Sequence, residues 1–225
     1  IHNQRERFSL NAQTTHLRIE NIYGEINVRN LAPGSIGMVA AIQQYGPNAP
    51  LPRFEFHNEG ARAVLRVVYD DAQPRFRGQP GRVDLAVFIP GLKFLELESA
   101  DDRIQLKRYP GNVTARSRRG RILISASGTV DLESVSGEIR AILPSPAAEG
   151  GSRIIGSDLV EVLFPTDADV LVDARATELI SPELGPELVD ASADPLHLRS
   201  RFGAATHALE IRGREIYLRP FHDVK

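Results

Sequence analysis

The feature that most constrains this chain is a twelve-residue pattern that occurs four times. The copies are Leu17–Val28 (LRIENIYGEINV), Leu95–Leu106 (LELESADDRIQL), Val113–Ile124 (VTARSRRGRILI) and Val130–Ala141 (VDLESVSGEIRA). Each opens with apolar residues at its first and third positions, has Asn or Ser fifth and Gly or Asp eighth, and ends on a small or apolar residue. The tenth position is isoleucine in every copy: Ile26, Ile104, Ile122 and Ile139. Alternation at both ends is the period of strands with one buried face, and the Ser or Asn followed by Gly or Asp is bend chemistry between them. Each unit therefore reads as strand, tight bend, strand. Gly24, Gly120 and Gly137 are expected to supply a positive φ at the bend, with Asp102 standing in as a residue that tolerates that region.

Two architectures fit such a unit. The last three copies begin 18 and then 17 residues apart, a spacing suited to the coils of a β-solenoid, β-helix or roll-like. The alternative is a β-sandwich of antiparallel hairpins. Charge separates them, because a hairpin closed within each unit would oppose Glu20 to Glu25, Arg116 to Arg121 and Glu133 to Glu138. Stacked coils would instead line up Glu98, Arg116 and Glu133, which alternate in sign. The stack is the less frustrated arrangement, and an all-β solenoid is the expectation.

Outside the units, Phe8–Val28 reads as two strands and Ala61–Tyr69 and Arg82–Ile89 as two longer ones, with Pro-rich loops over 47–52 and 70–81. Val83–Pro90 (VDLAVFIP) and Val160–Pro165 (VEVLFP) resemble each other and hint at a second, longer repeat. The stretch 178–195 reads as an irregular excursion or lid, and Leu209–Leu218 as a closing strand, turn, strand. The chain is expected to be one repetitive domain over 1–225, clearest at 95–142.

Composition narrows the function classes. With 42% hydrophobic and 25% charged residues the chain is of the folding kind, not the disordered kind. It has no cysteine, which removes disulfides, thiolate metal sites and a Cys nucleophile. A net charge of -2 gives no global field toward nucleic acid or an anionic membrane, so nucleic acid is disfavoured as a partner. No apolar run nears the roughly 20 residues of a membrane-spanning helix. The chain opens on Ile1 and not Met, as an exported chain shorn of a leader would.

Candidate sites are sparse. The six histidines lack metal-ligand spacing, and Asp101, Asp102, Asp167, Asp169 and Asp173 match no calcium loop and read as turn chemistry. Ser99, Ser117 and Ser134 share one repeat position, the mark of a structural ladder more than of a nucleophile. Trp is absent, so no sugar-stacking platform is evident. No catalytic, metal or cofactor residue is expected, and no enzymatic activity. The densest charge is Lys107, Arg108, Arg116, Arg118, Arg119 and Arg121. These six are the candidate site for an anionic ligand, set against the plainer reading of a solvated face balanced by Glu96, Glu98 and Glu133.

The segments ESVSGEI (Glu133–Ile139), NIYGEINV (Asn21–Val28) and RSRRGRI (Arg116–Ile122) resemble the bacterial putative-adhesin domains, related in style to head-type autotransporter adhesin domains. The resemblance covers about two-thirds of the chain and departs from it at 178–195. It implies a β-helix or roll-like solenoid, an extracytoplasmic location in periplasm, envelope or surface, and no catalytic activity. The expected function is a non-enzymatic envelope or surface module that presents a repetitive β face to an envelope polysaccharide or a surface protein. A carbohydrate-active β-helix enzyme and a self-assembling envelope scaffold are the alternatives.

Overall fold

The computed structural model describes residues 1–30, 34–44, 51–69, 81–146, 150–184 and 194–221. Within them the alternating segments form eighteen strands, numbered here in chain order, joined into one nearly closed mixed sheet; no helix occurs among the described residues.

The sheet consists of two ladders. One runs β5 (Arg53–Glu59), β6 (Arg62–Val68), β2 (His16–Asn21), β8 (Phe94–Ser99), β10 (Asn112–Ser117), β12 (Val130–Ser134) and β14 (Gly151–Gly156). It continues through the first half of β18 (His207–Pro220) to β16 (Val170–Pro182) and β17 (His197–Arg201). The other runs β1 (His2–Ser9), β4 (Ser35–Gln43), β7 (Arg82–Ile89), β3 (Ile26–Asn30), β9 (Ile104–Tyr109), β11 (Ile122–Ala126), β13 (Ile139–Ile142) and β15 (Leu159–Phe164). It ends on the second half of β18 and the tail of β16. The middle of each ladder is parallel, whereas β1, β4, β5 and β17 pair antiparallel at the ends.

The four sequence units are neighbours in register. Leu17, Leu95, Val113 and Val130 pair in succession on one ladder, and Ile26 and Ile122 flank Ile104 on the other, with Ile139 next to Ile122. The four isoleucines are fully buried. Removing each from water contributes about 1.5–3 kcal/mol, so the shared column stabilises the stack at every step. Arg116 faces Glu98 and Glu133 and not Arg121, which is the pairing that alternates in sign.

At the end of each unit's first strand the fifth position turns inward. Asn21, Ser99, Ser117 and Ser134 form a buried row. Ser117 Oγ accepts from the Gly120 amide at 2.8 Å and Ser134 Oγ from the Gly137 amide at 2.9 Å, which satisfies donors that the bend leaves without a ladder partner. The expectation of positive φ holds at Gly24, at +129°, but not at Gly120 or Gly137. What those two need is space. A Cβ on Gly120 would lie 1.9 Å from the Asp102 carbonyl oxygen, and one on Gly137 2.2 Å from that of Gly120. Asp102 is likewise not in the positive-φ region; its carboxylate accepts from Arg82 Nη1 at 2.6 Å.

Two readings of the C-terminal part require correction. Residues 178–182 are not part of an excursion but the end of the thirteen-residue strand β16, and 185–193 lie outside the described residues. Leu209–Leu218 does not turn but lies within the single fourteen-residue strand β18, which spans β14 and β15 in succession. Gly213 and Arg214 sit beside the β14–β15 bend, where the Arg214 amide donates to the Asp158 carbonyl at 3.0 Å, so the strand passes the bend without following it. The loops at 47–52 and 70–81 fall largely outside the described residues.

Candidate functional site

The two ladders differ sharply on their outer faces. On the first, the residues alternating with the core are mostly charged and neutralise one another. Arg18 binds Glu20 at 2.5 Å and Glu98 at 2.6 Å, Arg66 pairs with Glu20, Arg116 pairs with Asp131 and lies 3.5 Å from Glu133, and Arg212 binds Glu210 at 2.7 Å. The acidic bend residues are also engaged. Asp101 takes two bonds from Arg119, at 2.9 and 2.5 Å, and Asp102 is held by Arg82. Burial raises the Asp102 carboxyl above its ordinary range despite the cation beside it. No group of three or more His, Asp or Glu suited to a metal occurs among the described residues.

The six candidate cations are therefore not one patch. Arg116 lies on the first ladder's outer face, Arg118 and Arg119 at the bend, and Lys107, Arg108 and Arg121 on the second ladder. Arg116, Arg119 and Arg121 are spoken for by Asp131, Asp101 and Glu138. Arg118 is exposed between Ala100 and Val135, in a depression it shares with Glu98 and Glu133. Lys107 and Arg108 are exposed and have no acidic partner among the described residues.

A register slip places these two outside together. Opposite β11 the ladder passes from Leu106 to Tyr109 while its partner passes from Ile124 to Ala126, so Lys107 and Arg108 face one residue, Ser125. Arg108 takes φ +51°, the strained position of the bulge. Without the slip, strict alternation would send Arg108 into the core. With it, Tyr109 enters instead, fully buried, its hydroxyl donating to the Leu92 carbonyl at 2.9 Å and accepting from the Leu92 amide at 3.1 Å. Burial pushes that phenol up to about 12.

A third cation joins them that the sequence reading missed. Arg29 is exposed and pairs in register with Lys107. The clue was available: extending the repeat by one residue puts Arg29, Lys107, Ser125 and Ile142 at a common thirteenth position, and only the stacking makes that position meaningful. Beside this row runs a groove of about 660 Å³ whose walls include Tyr109, Pro110, Ile142, Pro144 and Phe221. It adjoins a second depression of about 520 Å³ over Leu123, and Lys107, Ser125 and Ile142 border both. Around the second depression the remaining charges are paired, Arg121 with Glu138 and Arg140 with Glu161 at 2.9 Å. The excess positive charge is thus confined to the end carrying Arg29, Lys107 and Arg108.

No family model matches this chain, and no curated protein sequence does. Among solved structures, it is similar to a putative cell adhesion protein from Clostridium sporogenes, with a TM-score of 0.54 at 10% identity, over 98% of this chain and 100% of that one. A putative adhesin from Bacteroides fragilis aligns over 97% of each chain at 9% identity, with a TM-score of 0.36. At such identities the first likeness is one of fold, and the second carries no weight.

Proposed function

We propose that this chain is a non-enzymatic, adhesin-like module of the bacterial envelope or surface, built as a stack of β coils, whose second ladder holds anionic groups of its partner. The coil reading is supported by the unbroken parallel register through the four units, by the buried Ile26 column and by the glycine row that brings successive bends within backbone contact. An adhesive role accords with the name carried by the Clostridium sporogenes protein of like fold. The observation that carries the anionic preference is the row Arg29, Lys107 and Arg108. Elsewhere on the described surface most arginines are matched to carboxylates, whereas here three cations stand together with none. Like charges in adjacent register positions oppose folding by a few tenths of a kcal/mol each, and an anionic ligand relieves that cost.

The test is binding of the purified protein to polyphosphate, with the polymer's chain length followed in the same sample. Retention that weakens steeply with salt, with no change in polymer length, is the expected result. Absence of binding at low ionic strength would overturn the anionic reading, and turnover abolished by one substitution would overturn the non-enzymatic one.

A further inference from the structure

The geometry points to a more specific ligand for this face: a single-chain anionic amphiphile, its phosphate or carboxylate at Arg29, Lys107 and Arg108 and its hydrocarbon chain in the adjoining groove. This rests on the anion-binding reading and extends it. Three cations suffice to hold a few phosphates of a polyanion, but they do not extend into a track along the face. The three cations lie at one end, while toward Leu123 the charges are already paired with each other. What continues from the cations is apolar. Ile142, Pro144 and Phe221 are each half-buried, and with the edge of Pro110 they offer hydrocarbon to solvent in a trough of about 660 Å³. That lies within the roughly 300–1,000 Å³ typical of small-molecule sites, which are mostly apolar with a few polar groups fixing orientation. Ser125 and Ser127 provide hydroxyls on the groove's border, within the cationic end's surroundings.

The bulge makes the two halves of the site one unit. It sends Lys107 and Arg108 outward as a pair and in the same stroke buries Tyr109, whose ring backs the groove and is fixed by two hydrogen bonds to Leu92. The head group would then be read by Lys107 and Arg108, and the chain by Ile142, Pro144 and Phe221 across the groove that Tyr109 underlies. Charge complementarity favours an anionic head over a neutral or cationic one, since no carboxylate lines the trough among the described residues.

The probe is cis-parinaric acid, a fatty acid whose fluorescence rises in apolar surroundings, used below its aggregation threshold. The intact chain should enhance its emission saturably, and decyl phosphate should displace it where decanol at equal concentration does not. Lys107→Gln with Arg108→Gln should weaken binding about tenfold with little change in the emission at saturation. Ile142→Glu, and separately Ser125→Glu, should weaken it at least as much; both positions are half-exposed on the outer face, and a matching melting curve establishes that the variant is folded. Parinarate binding that is indifferent to the Glu variants would overturn the inference by placing the chain elsewhere. If polyphosphate binds through Lys107 and Arg108 but parinarate and decyl phosphate do not, the amphiphile is excluded while the anionic site stands. If none of the three binds, both readings fall.

Discussion

Arg116 and Glu133 hold the same position on adjacent parallel strands, with Nε of the arginine 3.5 Å from Oε2 of the glutamate. Arg116 also faces Glu98 on its other side and pairs with Asp131. In a stack, this one arginine separates two glutamates that would otherwise be neighbours.

Its replacement gives the first prediction. Arg116→Glu places three glutamates in a row and should be less stable than the neutral control Arg116→Gln, by about 0.2–1 kcal/mol per exposed like-charge contact. Urea midpoints at low ionic strength measure the difference, and salt should shrink it. A Glu variant more stable than the Gln variant would mean that Arg116 faces another cation, as in a closed hairpin with Arg121.

The bend glycines separate two reasons for needing glycine. Gly137→Ala puts a methyl 2.2 Å from the Gly120 oxygen and 2.7 Å from its carbon, so backbone must move, at a cost of about 1–3 kcal/mol or more. Gly60 has φ +55° with nothing within 4 Å of the added carbon, so Gly60→Ala should cost about 1 kcal/mol and Gly60→Asn less. Equal melting-temperature losses for the two alanine variants would contradict the steric account of the bends within the repeat units.

Ser134 is buried, accepts from the Gly137 amide and donates to the Gly120 carbonyl at 3.3 Å. Ser134→Ala leaves that amide unsatisfied and should cost about 1–3 kcal/mol, read from denaturant midpoints. A loss no larger than that of Ser136→Ala, on the exposed side of the same bend, would show that the serine row does not hold the bend.

Tyr109 predicts an alkaline limb. Its folded pKa, about 12, exceeds the ordinary 10, so the unfolded chain gives up the phenolic proton first. The Tyr109 contribution to stability is constant below pH 10 and falls as pH rises from 10 toward 12, by about 1.4 kcal/mol per pH unit between the two values. Tyr109→Phe should start less stable at neutral pH, having lost both bonds to Leu92, and should decline less steeply over that window. Parallel stability curves for the two proteins above pH 10 would contradict this.

What the sequence revealed and what it hid follow from the range of the interactions. The Ile26, Ile104, Ile122, Ile139 column was legible because burial in a repeated position leaves the same apolar residue each time. The alternation of Glu98, Arg116 and Glu133 could be read once the units were aligned. The antiparallel strands β1, β4, β5 and β17 could not, since they belong to no unit and are specified by pairing partners far away in the chain. Gly137 was found for a wrong reason, because a glycine demanded by the backbone of the neighbouring unit looks in one dimension like a glycine demanded by φ. The basic run misled by its density: Arg116 and Arg119 are close to Lys107 and Arg108 in sequence but lie on the first ladder's face and at the bend, and Arg121, on the same ladder as Lys107 and Arg108, is neutralised by Glu138, while Arg29, 78 residues before Lys107, stands beside it.

That division of the cations is the centre of the account, and one comparison tests it. Polyphosphate affinity at low ionic strength is measured for the intact chain, for Arg29→Gln/Lys107→Gln/Arg108→Gln and for Arg116→Gln/Arg119→Gln/Arg121→Gln. Both variants lose three positive charges, so the bulk electrostatic effect is matched and any difference reports location. The first should bind at least about tenfold more weakly than the second. Equal losses, or a larger loss in the second, would contradict the assignment of the anionic site to the row at Arg29, Lys107 and Arg108.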